Sequence, residues 1–210
     1  GYLEKIREIC TKHGFLLVFD EVITGFGRMG TAFATQKFNV KPDIITMAKA
    51  LTNGAIPMGG VAVTDEIYDT VTNAAPEDAI EFFHGYTYSA HPAACAAGIA
   101  TQKIYESEGL FERAAALEEY FLDAVWSLQD HPLVADIRGI GLMAGVELVS
   151  DGVVGRRGGQ MQKAMFWNGL HVKFTGDNAI IAPAFIAERK HVDEIVDKFR
   201  KSLDAALDAN

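Results

Sequence analysis

Cysteine and long hydrophobic runs are both scarce in this sequence, and each scarcity excludes a class of protein. Only Cys10 and Cys95 occur among the 210 residues, far apart in the chain. A disulfide framework and a Cys-rich metal site are therefore excluded. No apolar stretch approaches the roughly 18 residues that a membrane helix needs. We expect a soluble protein without a membrane partner, in the reducing environment of the cytoplasm.

Positive charge is scarce as well. Lys and Arg number 19 against 28 Asp and Glu, which leaves a net charge of −9. A field of that sign repels phosphate backbones, and no basic run offsets it, so we expect no nucleic-acid partner. The apolar share of 49% and the charged share of 22% are typical of folded globular proteins. A chain of this length can bury a core without disulfides or a metal.

The start of the chain predicts that further sequence precedes it. The chain begins at Gly1 without Met, and its first residues do not have the pattern of a signal peptide. Leu3, Ile6 and Cys10 are spaced along one face of a helix that the chain enters midway. We therefore expect the true N-terminus to lie upstream.

The first half of the chain alternates short apolar runs with helical patterns. Such runs are typical of parallel strands buried on both faces, and they occupy residues 15–19, 44–47 and 60–64. A short helix is predicted from Asp65, and an Ala-rich helix from Pro92 to about Glu106 with proline in its first turn. This alternation predicts an α/β layer architecture for residues 1–108.

The pattern changes near Gly109, and we predict a second, small α+β domain over residues 109–210. A long amphipathic helix is expected from Leu110 to Leu128, followed by extended segments at 135–138 and 142–149. A helix at 158–168 and two short strands, at 170–174 and 179–182, come next. A final helix presents Val192, Phe199 and Leu203 on one face.

Two polar residues follow the predicted strands where a ligand would bind. Asp20 comes directly after one apolar run, and Lys49 comes two residues after another. In α/β sheets, residues at the carboxyl ends of parallel strands face the ligand crevice. Apolar neighbours favour a lysine amine with a lowered pKa, which a Schiff-base lysine requires. Taken alone, the same residues also fit a surface lysine at a helix start and an Asp helix cap.

The strings around these residues resemble class III (subgroup II) aminotransferases, which use pyridoxal phosphate (PLP). Residues 20–28 read DEVITGFGR, and Lys49 follows Asp20 by 29 residues within MAKALTNG, the spacing that such enzymes show. Residues 83–92 read FHGYTYSAHP, and residues 136–143 read DIRGIGLM, which resemble two later blocks of the family. The similarity runs in order from residue 1 to about residue 207. It implies PLP-transferase fold type I, with residues 1–108 as the C-terminal part of the large PLP-binding domain.

The resemblance also implies a role for each matching residue. Lys49 would bind PLP covalently and then shuttle a proton, and Asp20 would keep the pyridine nitrogen protonated. Val22 would pack against the cofactor ring, or be an ordinary core valine. Thr87 would donate its hydroxyl to the cofactor phosphate of the partner subunit, which implies a homodimer; otherwise it is an edge-strand threonine.

One position departs from the family. Many amine:pyruvate members carry an arginine where this sequence has Lys173, in HVKFTGD at 171–177. Lysine is a point charge rather than a bidentate fork, so it would grip a substrate carboxylate more loosely. Lys173 is our candidate substrate ligand, Arg138 is the next candidate, and a solvated strand-end lysine is the alternative.

These matches imply transfer of an amino group from an ω-amino acid or amine, such as β-alanine, to pyruvate. An aminomutase or a decarboxylating aminotransferase of the same class stays open, as does a non-catalytic dimerisation module, since family members are roughly twice as long. Gly25, Gly27 and Gly30 fit a dinucleotide fingerprint, but they do not directly follow a strand, and we interpret them as a turn. No metal site is predicted, because His84 and His91 lack a ligand pattern.

Overall fold

The computed structural model describes residues 1–208. They form two units, one made of Gly1–Gly27 and Thr31–Gly109. The other begins with the short segment Arg28–Gly30 and continues from Leu110 to the end of the described residues. Both contain helices and strands, so the predicted mixture of α and β structure is confirmed.

The first unit is built on a three-stranded sheet. Its elements are α1 (Tyr2–His13), β1 (Val18–Asp20), α2 (Ala34–Phe38), β2 (Ile44–Met47), β3 (Gly60–Val63), α3 (Asp65–Asn73) and α4 (Pro92–Ser107). β1 and β2 are parallel, with Val18 opposite Ile44 and Asp20 opposite Thr46. As the sequence predicts, α4 begins at Pro92, where a missing backbone N–H costs no hydrogen bond.

The predictions for these strands need three corrections. β1 begins only at Val18, and β3 runs antiparallel to β2, so the sheet is not purely parallel. The strands are also not buried on both faces: Val18 is 51% exposed and Val61 67%. Apolar runs predict extended structure correctly, but burial depends on neighbouring elements, and β1 and β3 are the two outer strands of this sheet.

The second unit packs three helices against a four-stranded antiparallel sheet. The helices are α5 (Leu110–Trp126), α6 (Arg156–Trp167) and α7 (Arg189–Asp208), and the strands are β4 (Val134–Ile140), β5 (Met143–Leu148), β6 (Lys173–Thr175) and β7 (Asn178–Ile181). The strand order is β4-β5-β7-β6. Phe121, Phe199 and Val146 are fully buried in its core, each 0% exposed. The predicted face of the last helix is confirmed, since Val192, Phe199 and Leu203 all lie in this core.

The tripeptide Arg28–Gly30 belongs to the second unit through close backbone packing. The Arg28 guanidinium donates to the carbonyls of Leu142, at 3.0 Å, and Pro183, at 2.6 Å. The Leu142 N–H donates to the Arg28 carbonyl in return. Gly141 permits this approach, because a Cβ there would collide with the Arg28 carbonyl oxygen, and its φ is +59°.

Residues 1–208 contain neither a membrane-spanning helix nor a cluster of metal-ligand side chains. No helix within residues 1–208 combines the length and the apolar character needed to cross a membrane. Over the same range, no three His, Cys, Asp or Glu residues are grouped as a metal ion would require.

Candidate active site

Asp20 lies at the carboxyl end of β1 and keeps one carboxylate oxygen open. Its Oδ1 accepts hydrogen bonds from the Val22 N–H, at 3.0 Å, and from the Thr46 hydroxyl, at 3.3 Å. Its Oδ2 has no hydrogen-bond partner among the described residues. The carboxylate is therefore oriented by its neighbours and still able to meet a cationic or N–H group.

Lys49 follows the neighbouring strand β2 and has an unusual backbone. It opens a single 3-10 turn, Lys49–Leu51, and its φ is +44°. A side chain in this left-handed region costs roughly 1–2 kcal/mol, and such strain tends to persist at functional sites. The side chain is exposed, and its amine has no hydrogen bond or ion pair within residues 1–208.

The turn that carries Lys49 is supported by α4. The Tyr105 hydroxyl donates to the Ala50 carbonyl at 2.7 Å, and the Gln102 amide donates to the Leu51 carbonyl at 3.2 Å. Tyr105 is buried, 5% exposed. These two supports were not predicted from the sequence. The available signal was a Gln and a Tyr three residues apart on one face of an otherwise Ala-rich helix.

Asp20 and Lys49 share one end of the sheet. Because β1 and β2 are parallel and Asp20 is opposite Thr46, the chain reaches Lys49 just beyond that same end. Ligands of α/β sheets bind at this end, beyond the carboxyl ends of the parallel strands. The arrangement places an oriented carboxylate and an unpaired amine at one edge of the first unit.

The residues after Asp20 are held by a buried carboxylate. Val22 is half-buried, whereas Glu21 is only 1% exposed. The Glu21 side chain bonds to the hydroxyl of Thr24 and to the backbone N–H groups of Ala34 and Thr35. Gly25, Gly27 and Gly30 lie in the turns between β1 and α2, as interpreted, and not at the opening of a dinucleotide-binding helix.

Thr87 lies in a turn beside a cavity of ≈ 780 Å³. The alternative of an edge-strand threonine is wrong, because no strand includes this residue. The cavity wall includes His84, whose Nδ1 accepts the Tyr86 N–H at 2.9 Å, and whose ring lies 4.1 Å from that of Tyr86. Thr87 is exposed, so its hydroxyl is accessible to a ligand.

Lys173 lies on β6 in the second unit, on the same face of the sheet as Arg138. One cross-strand row contains Arg138, Gly145, Ile180 and Lys173 in that order. Arg138 bonds to Glu147 at 2.8 Å and to Asp136 at 2.5 Å, and these bonds hold its pKa above the ordinary value. Lys173 has no such partner among the described residues. Of the two candidates for a carboxylate ligand, Lys173 is therefore the one with an unpaired charge.

Comparison with known proteins identifies the family. The model of the class III aminotransferases matches residues 1–203. The chain belongs to the class III aminotransferases. It is 50% identical over 204 residues to an omega-aminotransferase of Caulobacter vibrioides, covering 97% of this chain and 46% of that protein. It is 43% identical over 206 residues to a beta-alanine–pyruvate aminotransferase of Pseudomonas aeruginosa, with the same coverage of 97% and 46%.

A solved transaminase structure extends the likeness to three dimensions. The omega transaminase from Pseudomonas jessenii, in complex with PMP, superposes with a TM-score of 0.91 at 33% identity. The alignment covers 97% of this chain and 46% of that one. The predicted fold is thus confirmed, and the chain spans about half the length of the relatives that it matches.

Class III aminotransferases depend on PLP, and the residues present fit that cofactor. An aldehyde needs an unpaired amine, which Lys49 has, and a protonated ring nitrogen needs an acceptor, which Asp20 Oδ2 offers. Both groups belong to one edge of one sheet. Lys49 and Asp20 are therefore the two residues that would hold the cofactor at this end of the sheet.

Proposed function

We propose that the protein transfers an amino group from an ω-amino acid or amine, such as β-alanine, to pyruvate. The observation that carries this proposal is that the unpaired amine of Lys49 and the oriented carboxylate of Asp20 follow neighbouring parallel strands at the same end of the sheet. The relative named as a beta-alanine–pyruvate aminotransferase supports both the choice of donor and pyruvate as acceptor. The relative named as an omega-aminotransferase supports transfer of an ω-amino group. In this proposal residues 1–108 belong to the large PLP-binding domain and 109–210 form the small domain.

The residues of this chain divide the work. PLP, when bound, supplies an electron sink for the carbanion formed at the substrate carbon. Asp20 would hold the ring nitrogen through Oδ2, while Thr46 and the Val22 N–H fix its Oδ1. Lys49 would hold the aldehyde and move the proton at its Nζ. Val22, half-buried beside Asp20, would contact the ring.

The proposed partner is a second copy of this chain. The hydroxyl of Thr87 is accessible beside a cavity, and it forms no hydrogen bond with another described residue. In this proposal it donates to the cofactor phosphate of the other subunit. Two copies would then complete two sites, and no nucleic acid or membrane takes part.

The assignment of Lys49 is tested by trapping. Borohydride reduction of the complete gene product with PLP should attach the label to the peptide that contains Lys49. Lys49→Ala should bind PLP without a reducible link and lose transamination. Lys37→Ala, a lysine of the same unit outside this edge, is the control and should be labelled like the wild type. Label on another lysine of the wild-type protein would contradict the assignment.

The substrate role of Lys173 is tested with two acceptors. If Lys173 binds the pyruvate carboxylate, Lys173→Met removes one charge-assisted contact worth about 1.5–3 kcal/mol. We expect kcat/KM for pyruvate to fall about ten- to hundredfold, and that for an aliphatic aldehyde to change little. Met keeps the apolar stem, so packing should be preserved. An equal fall in kcat/KM for both acceptors would show that Lys173 has a structural role. No fall for either acceptor would show that another residue binds the carboxylate.

A further inference from the structure

The buried carboxylate of Glu21 stands between two residues that the proposed function places at the cofactor. It is 1% exposed, and no Lys, Arg or His among the described residues forms an ion pair with it. Its charge is instead met by hydrogen-bond donors: Oε1 accepts the Thr35 N–H at 3.0 Å, and Oε2 accepts the Ala34 N–H at 3.0 Å and the Thr24 hydroxyl at 2.5 Å. A buried carboxylate is costly unless it is satisfied in this way.

The backbone of Glu21 is fixed as firmly as its side chain. Its N–H donates to the Thr46 carbonyl at 2.9 Å, which continues the pairing of β1 with β2. Its carbonyl accepts the Gly25 N–H at 2.9 Å. The side chain ties this point to the first turn of α2, which lies 13 and 14 residues further along. Glu21 therefore closes the base of the loop that joins β1 to α2.

This closure sets the direction of Asp20. Neighbouring residues of an extended chain point to opposite sides, and the Glu21 N–H shows that the chain is still extended here. Drawing Glu21 inward turns Asp20 outward, which agrees with an exposed Asp20 beside a buried Glu21. The Val22 N–H then bonds back to Asp20 Oδ1 at 3.0 Å, so Val22 also depends on the same backbone.

We propose that Glu21 is a positioning residue, which orients Asp20 and Val22 toward the cofactor ring by holding the loop closed from inside. The inference rests on the proposed function, because it concerns how the same edge holds PLP. Glu21 itself does not contact the cofactor. It acts through Asp20 and through the donors of Thr24, Ala34 and Thr35.

The first experiment measures the affinity of the complete gene product for PLP after the cofactor has been removed. Glu21→Gln keeps the shape and one acceptor oxygen, and its dissociation constant for PLP should rise about tenfold. Glu21→Leu loses every acceptor, and the constant should rise about a hundredfold. The matched control is Glu118→Gln in the second unit, where Oε1 accepts the Gly141 N–H at 2.8 Å. This control should keep the wild-type affinity for PLP.

The second experiment separates positioning from general loss of structure. Without cofactor, amide exchange at Ala34 and Thr35 should quicken in Glu21→Leu, because their acceptor is gone. In a double-mutant cycle, Glu21→Gln on an Asp20→Asn background should raise the dissociation constant less than threefold, because the group that it positions is already impaired. An equal fold-change on both backgrounds would mean that Glu21 acts on the fold alone and would overturn the proposal.

The outcomes also separate this inference from the proposed function. A wild-type protein that binds no PLP overturns the proposed function, and this inference with it. A wild-type protein that binds PLP, with unchanged affinity in Glu21→Gln and Glu21→Leu, overturns this inference alone. If Glu21→Leu does not fold, the Gln variant and its double-mutant cycle decide the matter.

Discussion

The two units of this chain bury their apolar residues to different extents. In the second unit they form one continuous core, in which Phe121, Phe199 and Leu128 are 0% exposed. In the first unit many stay at the surface, including Phe15 at 61%, Leu16 at 59% and Val61 at 67% exposed. An apolar strand contributes hydrophobic free energy to folding when another element covers it, at about 25 cal/mol per Å² of apolar surface removed from water.

The catalytic candidates belong to the unit with the sparser core. Asp20 and Lys49 stand at an edge of its sheet, on strands whose outer valines are exposed. Their own backbone is nevertheless well fixed, through Glu21 on one strand and through Tyr105 behind the other. Specific hydrogen bonds therefore hold the backbone next to both candidates.

Producing the two units separately tests the difference between their cores most directly. Residues 110–210, produced alone, should unfold cooperatively in urea, because they contain nearly all of the continuous core. Residues 1–109, produced alone, should show no cooperative transition and should bind a dye that fluoresces on apolar surfaces. Circular dichroism and dye fluorescence measure the two properties. A sharp urea transition in residues 1–109 would contradict the interpretation that this unit lacks a self-sufficient core.

Shortening single side chains to alanine tests the same difference residue by residue. Phe199→Ala should lower the free energy of unfolding by about 3–5 kcal/mol, because it removes a fully buried ring and leaves a cavity. Val61→Ala should change it by less than about 0.5 kcal/mol, because that side chain is 67% exposed. Denaturant unfolding of both variants tests the pair. Equal losses at the two positions would mean that Val61 is covered in solution.

A smaller effect concerns the ion pair that ties α1 to the first sheet. Asp43 accepts the Leu17 N–H at 2.6 Å and the Arg7 guanidinium at 2.7 Å, and these bonds lower its pKa. Asp43→Asn should cost about 1 kcal/mol of unfolding free energy at neutral pH. A carboxyl with a lowered folded pKa stabilises above its unfolded pKa of about 4 and loses that stabilisation as the pH falls further.

The Asp43 prediction is checked by urea unfolding of both proteins across the acid range. The gap between wild type and Asp43→Asn should be present above about pH 5 and should close as the pH falls through the folded pKa. A gap that is independent of pH would mean that the charge of Asp43 contributes nothing.

The sequence predicted elements better than it predicted their surroundings. The start of α4 at Pro92 and the presence of α5 and α7 follow from proline and from helical periodicity, which are local signals, although α5 ends at Trp126, before the predicted Leu128. The antiparallel direction of β3 could not be predicted, because the connection from Met47 to Gly60 carries no feature that fixes strand direction. The supports of the site were missed because most of their partners are distant in sequence: Ala34 lies 13 residues from Glu21, and Tyr105 lies 55 residues from Ala50.

By itself, the sequence determined the family and the order of its elements, and it predicted Asp20 and Lys49 as a pair, because these depend on residue types and spacings along the chain. Only the tertiary structure decided that Asp20 keeps one oxygen open and that Lys49 adopts a left-handed backbone. It also decided that Arg138 forms ion pairs with Asp136 and Glu147, whereas Lys173 has no ion-pair partner among the described residues. Those properties depend on which groups meet across strands and turns. A hydrogen bond is settled by distance and direction in space, and spacing along the chain does not specify either.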